Sequence, residues 1–109
     1  MGIDIGPIEV VDNLIFQLDA ANARSYSGSG ITINGLVGGI GSTLVNGVGF
    51  GATNLGYFIF DGTNDYILAP DISSLNLTSD LTAIVWFKII TLSGDWVRVI
   101  GKGDNTNRT

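Results

Sequence analysis

The sequence contains no cysteine and no histidine. Without cysteine there is no disulfide, no thiolate zinc site, no iron–sulfur cluster and no thiol nucleophile. Without histidine there is no Ser-His triad, no HExxH metal site and no imidazole base. Glutamate occurs once, as Glu9. Charge is scarce too: 14% of residues are charged, against about 25% in an average globular domain. The acidic residues outnumber the basic ones by 10 to 5, for a net charge of −5 and an isoelectric point near 4.1. A nucleic-acid backbone is held by Lys and Arg, so no nucleic-acid partner is expected. Long apolar runs are missing as well. The longest, residues 83–87, falls far short of the ~20 residues that span a bilayer, so no membrane partner is expected. The opening Met1-Gly2-Ile3-Asp4 has neither a basic region nor a long apolar stretch behind it and does not read as a signal peptide.

What is present is hydrophobic and rich in turns. The chain has 109 residues and is 45% hydrophobic, too apolar for a disordered tail. Its length fits one domain or part of one. Sixteen glycines stand against two prolines. Short apolar runs alternate with clusters of Gly, Asn, Asp and Ser, and no helix-length stretch shows a 3.6-residue period. This pattern predicts an all-β domain. Residues 1–12 read as an N-terminal arm and residues 13–109 as the domain.

Particular segments predict particular elements. Residues 13–19 alternate, with Leu14, Phe16 and Leu18 on one face, and predict a strand ending at Asp19. Residues 81–90 form the strongest strand pattern. Leu81, Ala83, Val85, Phe87 and Ile89 make a wholly apolar face, and the face with Thr82, Ile84, Trp86, Lys88 and Ile90 is largely apolar. Such a strand belongs in the middle of a sheet. Residues 96–100 predict a further strand. A short strand is expected at 42–45, closed by Asn46-Gly47. Two runs, 56–60 and 66–68, joined by Asp61-Gly62-Thr63-Asn64-Asp65, predict a hairpin with a longer loop. Residues 69–76 predict a loop with one helical turn. Leu14, Phe16, Leu18, Phe58, Phe60, Val85 and Phe87 are the expected core.

These residues also carry a family resemblance. Leu14-Ile15-Phe16-Gln17-Leu18-Asp19-Ala20-Ala21-Asn22-Ala23-Arg24-Ser25-Tyr26 resembles the opening of laminin-G-like domains of the concanavalin A-like lectin/glucanase superfamily. Leu44-Val45-Asn46-Gly47 followed by Phe50, then Phe60-Asp61-Gly62-Thr63-Asn64-Asp65-Tyr66, are similar to its next landmarks. The Trp86-Phe87-Lys88 strand and Lys102-Gly103-Asp104 follow in the family's order. Departures cluster in one place. Ile33 stands where the family has Trp, Gly35 where it has Asp and Val37 where it has Ser. Gly38-Gly39-Ile40-Gly41 replaces a polar loop.

The resemblance implies a jelly-roll sandwich of two antiparallel sheets. A minimal jelly roll needs about eight strands, and about seven short ones can be counted here. Family members continue past Lys-Gly-Asp, so an incomplete or reduced sandwich with open edges is expected. Open edges invite other protein chains or copies of the same chain. Domains with this opening resemble modules of tailed-phage virion proteins. The resemblance therefore implies a non-enzymatic, lectin-like structural or adhesive module on the surface of a phage particle. A glycan-binding module of a bacterial surface or secreted protein, extracellular or on the cell surface, is the alternative. An inactive, glucanase-like protein ranks third.

Chemistry adds little to this. The related glucanases use a Glu-x-Asp-x-x-Glu strand, which one glutamate cannot reproduce, so no enzyme is expected. No glycine-rich phosphate cradle occurs. The sequons at Asn76 and Asn107 carry no weight without a secretory signal. Loop 61–65 holds two carboxylates near a glycine, which suits a hard cation. Turn chemistry, with Asp61 and Asn64 satisfying backbone N–H groups, is the favoured reading. Cofactors are therefore expected to be none. If calcium binds, Asp61 and Asp65 are the first ligands, with Asp19 from a neighbouring rim. A glycan would use aromatics beside polar loops, which singles out Tyr26 and Tyr66.

Overall fold

The computed structural model describes residues 12–92 and 98–103. The chain divides into two compact units, Met1–Thr78 and Ser79–Thr109. The first carries all of the regular structure among the described residues.

That structure is all-β. Five short strands are present: β1 (Thr32–Ile33), β2 (Ser42–Val45), β3 (Gly49–Gly51), β4 (Tyr57–Ile59) and β5 (Tyr66–Leu68). Two single 3-10 turns, Thr53–Leu55 and Ser73–Leu75, sit in the connections. One sheet has the order β1-β2-β5 and the other pairs β3 with β4, all antiparallel. Both sheets feed one core. Tyr26, Ile33 and Leu44 are its buried centre. Around them pack Phe50 from β3, Phe58 from β4 and Ile67 from β5, together with Leu18 and Val48. The Tyr26 ring meets Phe50 and Phe58 edge-on, with centroids 5.0 and 5.1 Å away. Edge-to-face contact sets the positive rim of one ring against the negative face of another.

The expected strand at 42–45 is β2, and its side chains alternate. Ser42 and Leu44 are buried while Thr43 is exposed. It ends at Asn46 and Gly47, whose φ angles of 65° and 98° lie in the left-handed region that Asn and Gly tolerate best. The expected helical turn in 69–76 is the 3-10 turn Ser73–Leu75.

Three expectations are corrected. The 56–60 and 66–68 runs do not form a hairpin. β4 pairs with β3 and β5 pairs with β2, so loop 61–65 carries the chain from one sheet to the other. Asn46-Gly47 does the same between β2 and β3. Residues 14–19 join neither sheet. They are half-buried at every position, so no alternation in burial develops, and Leu36 N–H donates to the Gln17 carbonyl at 3.0 Å. Segment 81–90 is not a strand and its side chains are exposed, Trp86 at 97%. A strand exists only through a neighbour, and no described element pairs with this one. Of the expected 96–100 strand, 96 and 97 lie outside the described residues, and 98–100 joins no ladder.

The expected core changes accordingly. Leu14, Phe16, Leu18 and Phe58 are half-buried. Val85 and Phe87 are exposed with the segment that holds them. Phe60 is exposed because it falls one residue past β4, where the chain turns away from the sheet. Ile33, at 0% exposure, takes the place expected of these residues; it stands where the resembled family has Trp.

Candidate functional site

Two polar loops hold the residues singled out as ligands. The first runs from Asp19 to Tyr26 and is built from two successive side-chain-closed turns. Asp19 Oδ1 accepts the Ala21 N–H at 2.9 Å, and Asn22 Oδ1 accepts the Arg24 N–H at 2.9 Å. Short carboxylate and amide side chains close such turns by imitating a backbone carbonyl. The Asn22 carbonyl then takes the N–H groups of Ser25 and Tyr26, at 2.8 and 2.9 Å. This geometry delivers Ser25 and Tyr26 inward.

Ser25 is fully buried and joins three segments. Its Oγ accepts the Asp19 N–H at 3.0 Å and donates to the Asn34 carbonyl at 2.8 Å. The Ser25 carbonyl takes the Asn34 N–H at 2.7 Å. Nothing in the local pattern separates this serine from the other loop serines, because two of its partners are remote in sequence.

Tyr26, singled out as a glycan contact, is 5% exposed. Its ring fills the core and its hydroxyl donates to the Gly30 carbonyl at 2.9 Å. Tyr66 differs. It lies on β5, opposite Val45, and keeps 38% of its surface exposed.

The second loop, 61–65, closes on itself. Asp61 Oδ1 accepts the N–H groups of Thr63 and Asn64, at 2.8 and 3.3 Å. Asp65 Oδ2 accepts the Asp61 N–H at 3.1 Å. The Thr63 N–H, foremost, holds the Asp61 carboxyl below its ordinary value by stabilising the ionised form. Asn46 Nδ2 donates to the Asn64 carbonyl at 2.7 Å and so ties the two sheet-changing corners together. Asp65 Oδ1 is shielded from solvent and has no hydrogen-bond partner.

The structure therefore brings Asp61 and Asp65 into one loop and puts Asp19 in another. Asp19 and Asp61 each direct an oxygen to backbone N–H groups. Among the described residues no three carboxylates gather as a metal site would require. No helix among them is long and apolar enough to cross a membrane.

Besides Trp86 and Phe87 in segment 81–90, two more exposed aromatics stand on the second sheet and its exit. Tyr57 lies across Gly51, its partner in the β3–β4 register. A Cβ at Gly51 would run into the Tyr57 ring, so the glycine is what lets the ring lie there. Tyr57 and Phe60 are both exposed.

No protein-family model, curated protein or solved structure matches the chain.

Proposed function

We propose that this chain is a non-enzymatic, lectin-like structural or adhesive module of a phage virion, in fibre, tail or capsid surface, that works by joining other protein chains. The observation that carries the reading is segment 81–92. Ile84, Trp86, Ile90 and Leu92 are apolar and solvent-exposed there, and no strand lies beside them among the described residues. A run of exposed apolar side chains supports a role as a contact surface. β4 and β5 add to it. Each has one strand neighbour among the described residues, and each turns apolar side chains outward: Tyr57 and Ile59 on one, Tyr66 and Leu68 on the other. Strand addition would satisfy such an edge and cover its apolar flank together. A jelly-roll completed in this way is part of the proposal. The virion location rests on the resemblance of the Leu14-to-Tyr26 and Phe60-to-Tyr66 motifs.

Sedimentation of the 109-residue chain at micromolar concentration tests the reading. Oligomers that dissociate when Trp86 and Ile84 are replaced by Lys are expected. A stable, well-folded monomer refutes it.

Glycan binding is the second reading, favoured by exposed Tyr66 immediately after the Asp61–Asp65 loop. A glycan array on which Tyr66→Ala abolishes a specific signal would move the function to that class.

A further inference from the structure

The chain contains two Asn-Gly pairs in nearly the same local sequence, Ile33-Asn34-Gly35-Leu36 and Val45-Asn46-Gly47-Val48. Asn-Gly is the dipeptide most open to cyclisation, because glycine has no Cβ to obstruct attack by its nitrogen. The main-chain nitrogen of Gly attacks Cγ of Asn. A C–N bond forms, the Cγ–Nδ2 bond breaks, and the nitrogen's proton leaves with the amide as ammonia. Water then opens the succinimide at either carbonyl, giving Asp or isoaspartate. No oxidant or reductant takes part. The peptide between the two residues must rotate for the nitrogen to reach Cγ, so a peptide held by the fold reacts slowly.

The fold treats the two pairs differently. At Asn34 the main chain is clamped on both sides. Its N–H donates to the Ser25 carbonyl at 2.7 Å, and its carbonyl accepts the buried Ser25 hydroxyl at 2.8 Å. Gly35 is half-buried and so close to the Ile40 backbone that a Cβ would meet its carbonyl oxygen. The next N–H, of Leu36, is bonded to Gln17. Asn46 and Gly47 lie outside both sheets, after β2 ends and before β3 begins. Both are exposed, and no side chain or backbone stands within 4 Å of where a Gly47 Cβ would be.

We infer that Asn46 is a spontaneous modification site, converting to Asp or isoaspartate in the folded protein while Asn34 is protected. The conversion has a structural consequence. Asn46 Nδ2 is the donor that ties the β2–β3 corner to the Asn64 carbonyl of loop 61–65. A carboxylate cannot donate, and it adds negative charge beside a loop that already holds Asp61 and Asp65. Isoaspartate also lengthens the main chain at the corner. Either product cuts the clasp between the two places where the chain changes sheets. This inference is independent of the proposed function.

The test is to incubate the whole chain at neutral pH, folded and in denaturant, and to follow both sites by peptide mass spectrometry and isoaspartyl methylation. In denaturant the two sites should react at similar rates. In the folded chain Asn46 should lead by roughly severalfold to tenfold, because the bond from the Ser25 hydroxyl to the Asn34 carbonyl must open before the Asn34–Gly35 peptide can rotate. Equal rates in the folded chain, a faster Asn34, or no reaction at either site overturn the assignment. The clasp is tested separately with Asn46→Asp, which keeps the left-handed backbone accessible. Its thermal midpoint should fall by a few degrees. An unchanged midpoint refutes the clasp.

Discussion

Two buried serines provide the sharpest test of how this fold is held. Ser25 and Ser42 are 0% and 3% exposed, and replacing either with Ala deletes one oxygen. The consequences should differ in sign. Ser25→Ala removes a hydroxyl that both accepts and donates. It leaves the Asp19 N–H and the Asn34 carbonyl without that partner. Deleting one side of a buried hydrogen bond costs about 1–3 kcal/mol per stranded group. Asp19 is half-buried and Asn34 is exposed, so water relieves part of this and about 1–3 kcal/mol is expected in all. At Ser42 the hydroxyl is buried beside Ile33 in the β1–β2 register and has no hydrogen-bond partner. Its removal ends a desolvation penalty and leaves only an oxygen-sized gap, so the change should run from neutral to about 1 kcal/mol stabilising. Urea titrations at equal protein concentration read both values, with an unchanged m-value showing that the same surface unfolds. In a domain this small each kcal/mol moves the thermal midpoint by about 4–8 °C, so the variants should melt well apart. Equal losses in the two variants, or a larger loss at Ser42, would refute the assignment of Ser25 as the joint between the three segments.

Asp61 should make the loop sensitive to acid. Its carboxyl is held below the ordinary value in the fold, so the unfolded chain binds the proton first as pH falls; the loop's contribution is complete above the unfolded value and disappears as pH drops through the folded one. Asp61→Asn should flatten that acid limb in a urea-midpoint profile against pH, and an unchanged limb would show that another carboxyl controls it. Calcium titration calorimetry should show no heat of binding; a clear isotherm lost in Asp61→Ala would replace turn closure with ion binding as the role of the loop. Tyr26→Phe should cost about 0.5–1.5 kcal/mol through the lost bond to the Gly30 carbonyl, and Tyr26→Ala about 3–5 kcal/mol through the cavity, both read by denaturation. Gly51→Ala should displace the Tyr57 ring, visible as a fall in stability and a change in tyrosine fluorescence, whereas a neutral outcome would show that the ring moves without cost.

The parts of the fold legible in the sequence are those whose cause is local. Asn46-Gly47 marks the end of β2 because only such residues take positive φ readily. Asp61 announces a self-closed loop because its carboxylate lies two and three residues from the N–H groups it accepts. The short strand expected at 42–45 is β2, though its buried Ser42 and Leu44 are not among the expected core. Pairing between strands is a different matter. Nothing within 56–68 says that β4 and β5 belong to different sheets, because that depends on β2 and β3 offering better partners. Tyr26 beside polar Ser27 and Gly28 reads as a surface residue; only Phe50 and Phe58, distant in sequence, make its site a core.

The same distinction explains segment 81–90. Its period-two pattern is a statement about surroundings: both faces are to be covered and both edges paired. In the first unit, alternation is realised where partners exist, in β2 between β1 and β5. In the second the pattern is stronger and no ladder forms among the described residues, so propensity alone does not make the strand. An intrinsic preference worth at most ~1 kcal/mol per residue gives way when no neighbour accepts the backbone hydrogen bonds. The polar corners point the other way. Loop 61–65 and the Asp19–Tyr26 turns close on their own side chains, and bonds from Asn46 and to Asn34 complete them. The closed corners fix the path of the first unit, whereas segment 81–90 carries an alternating apolar pattern that no described strand pairs.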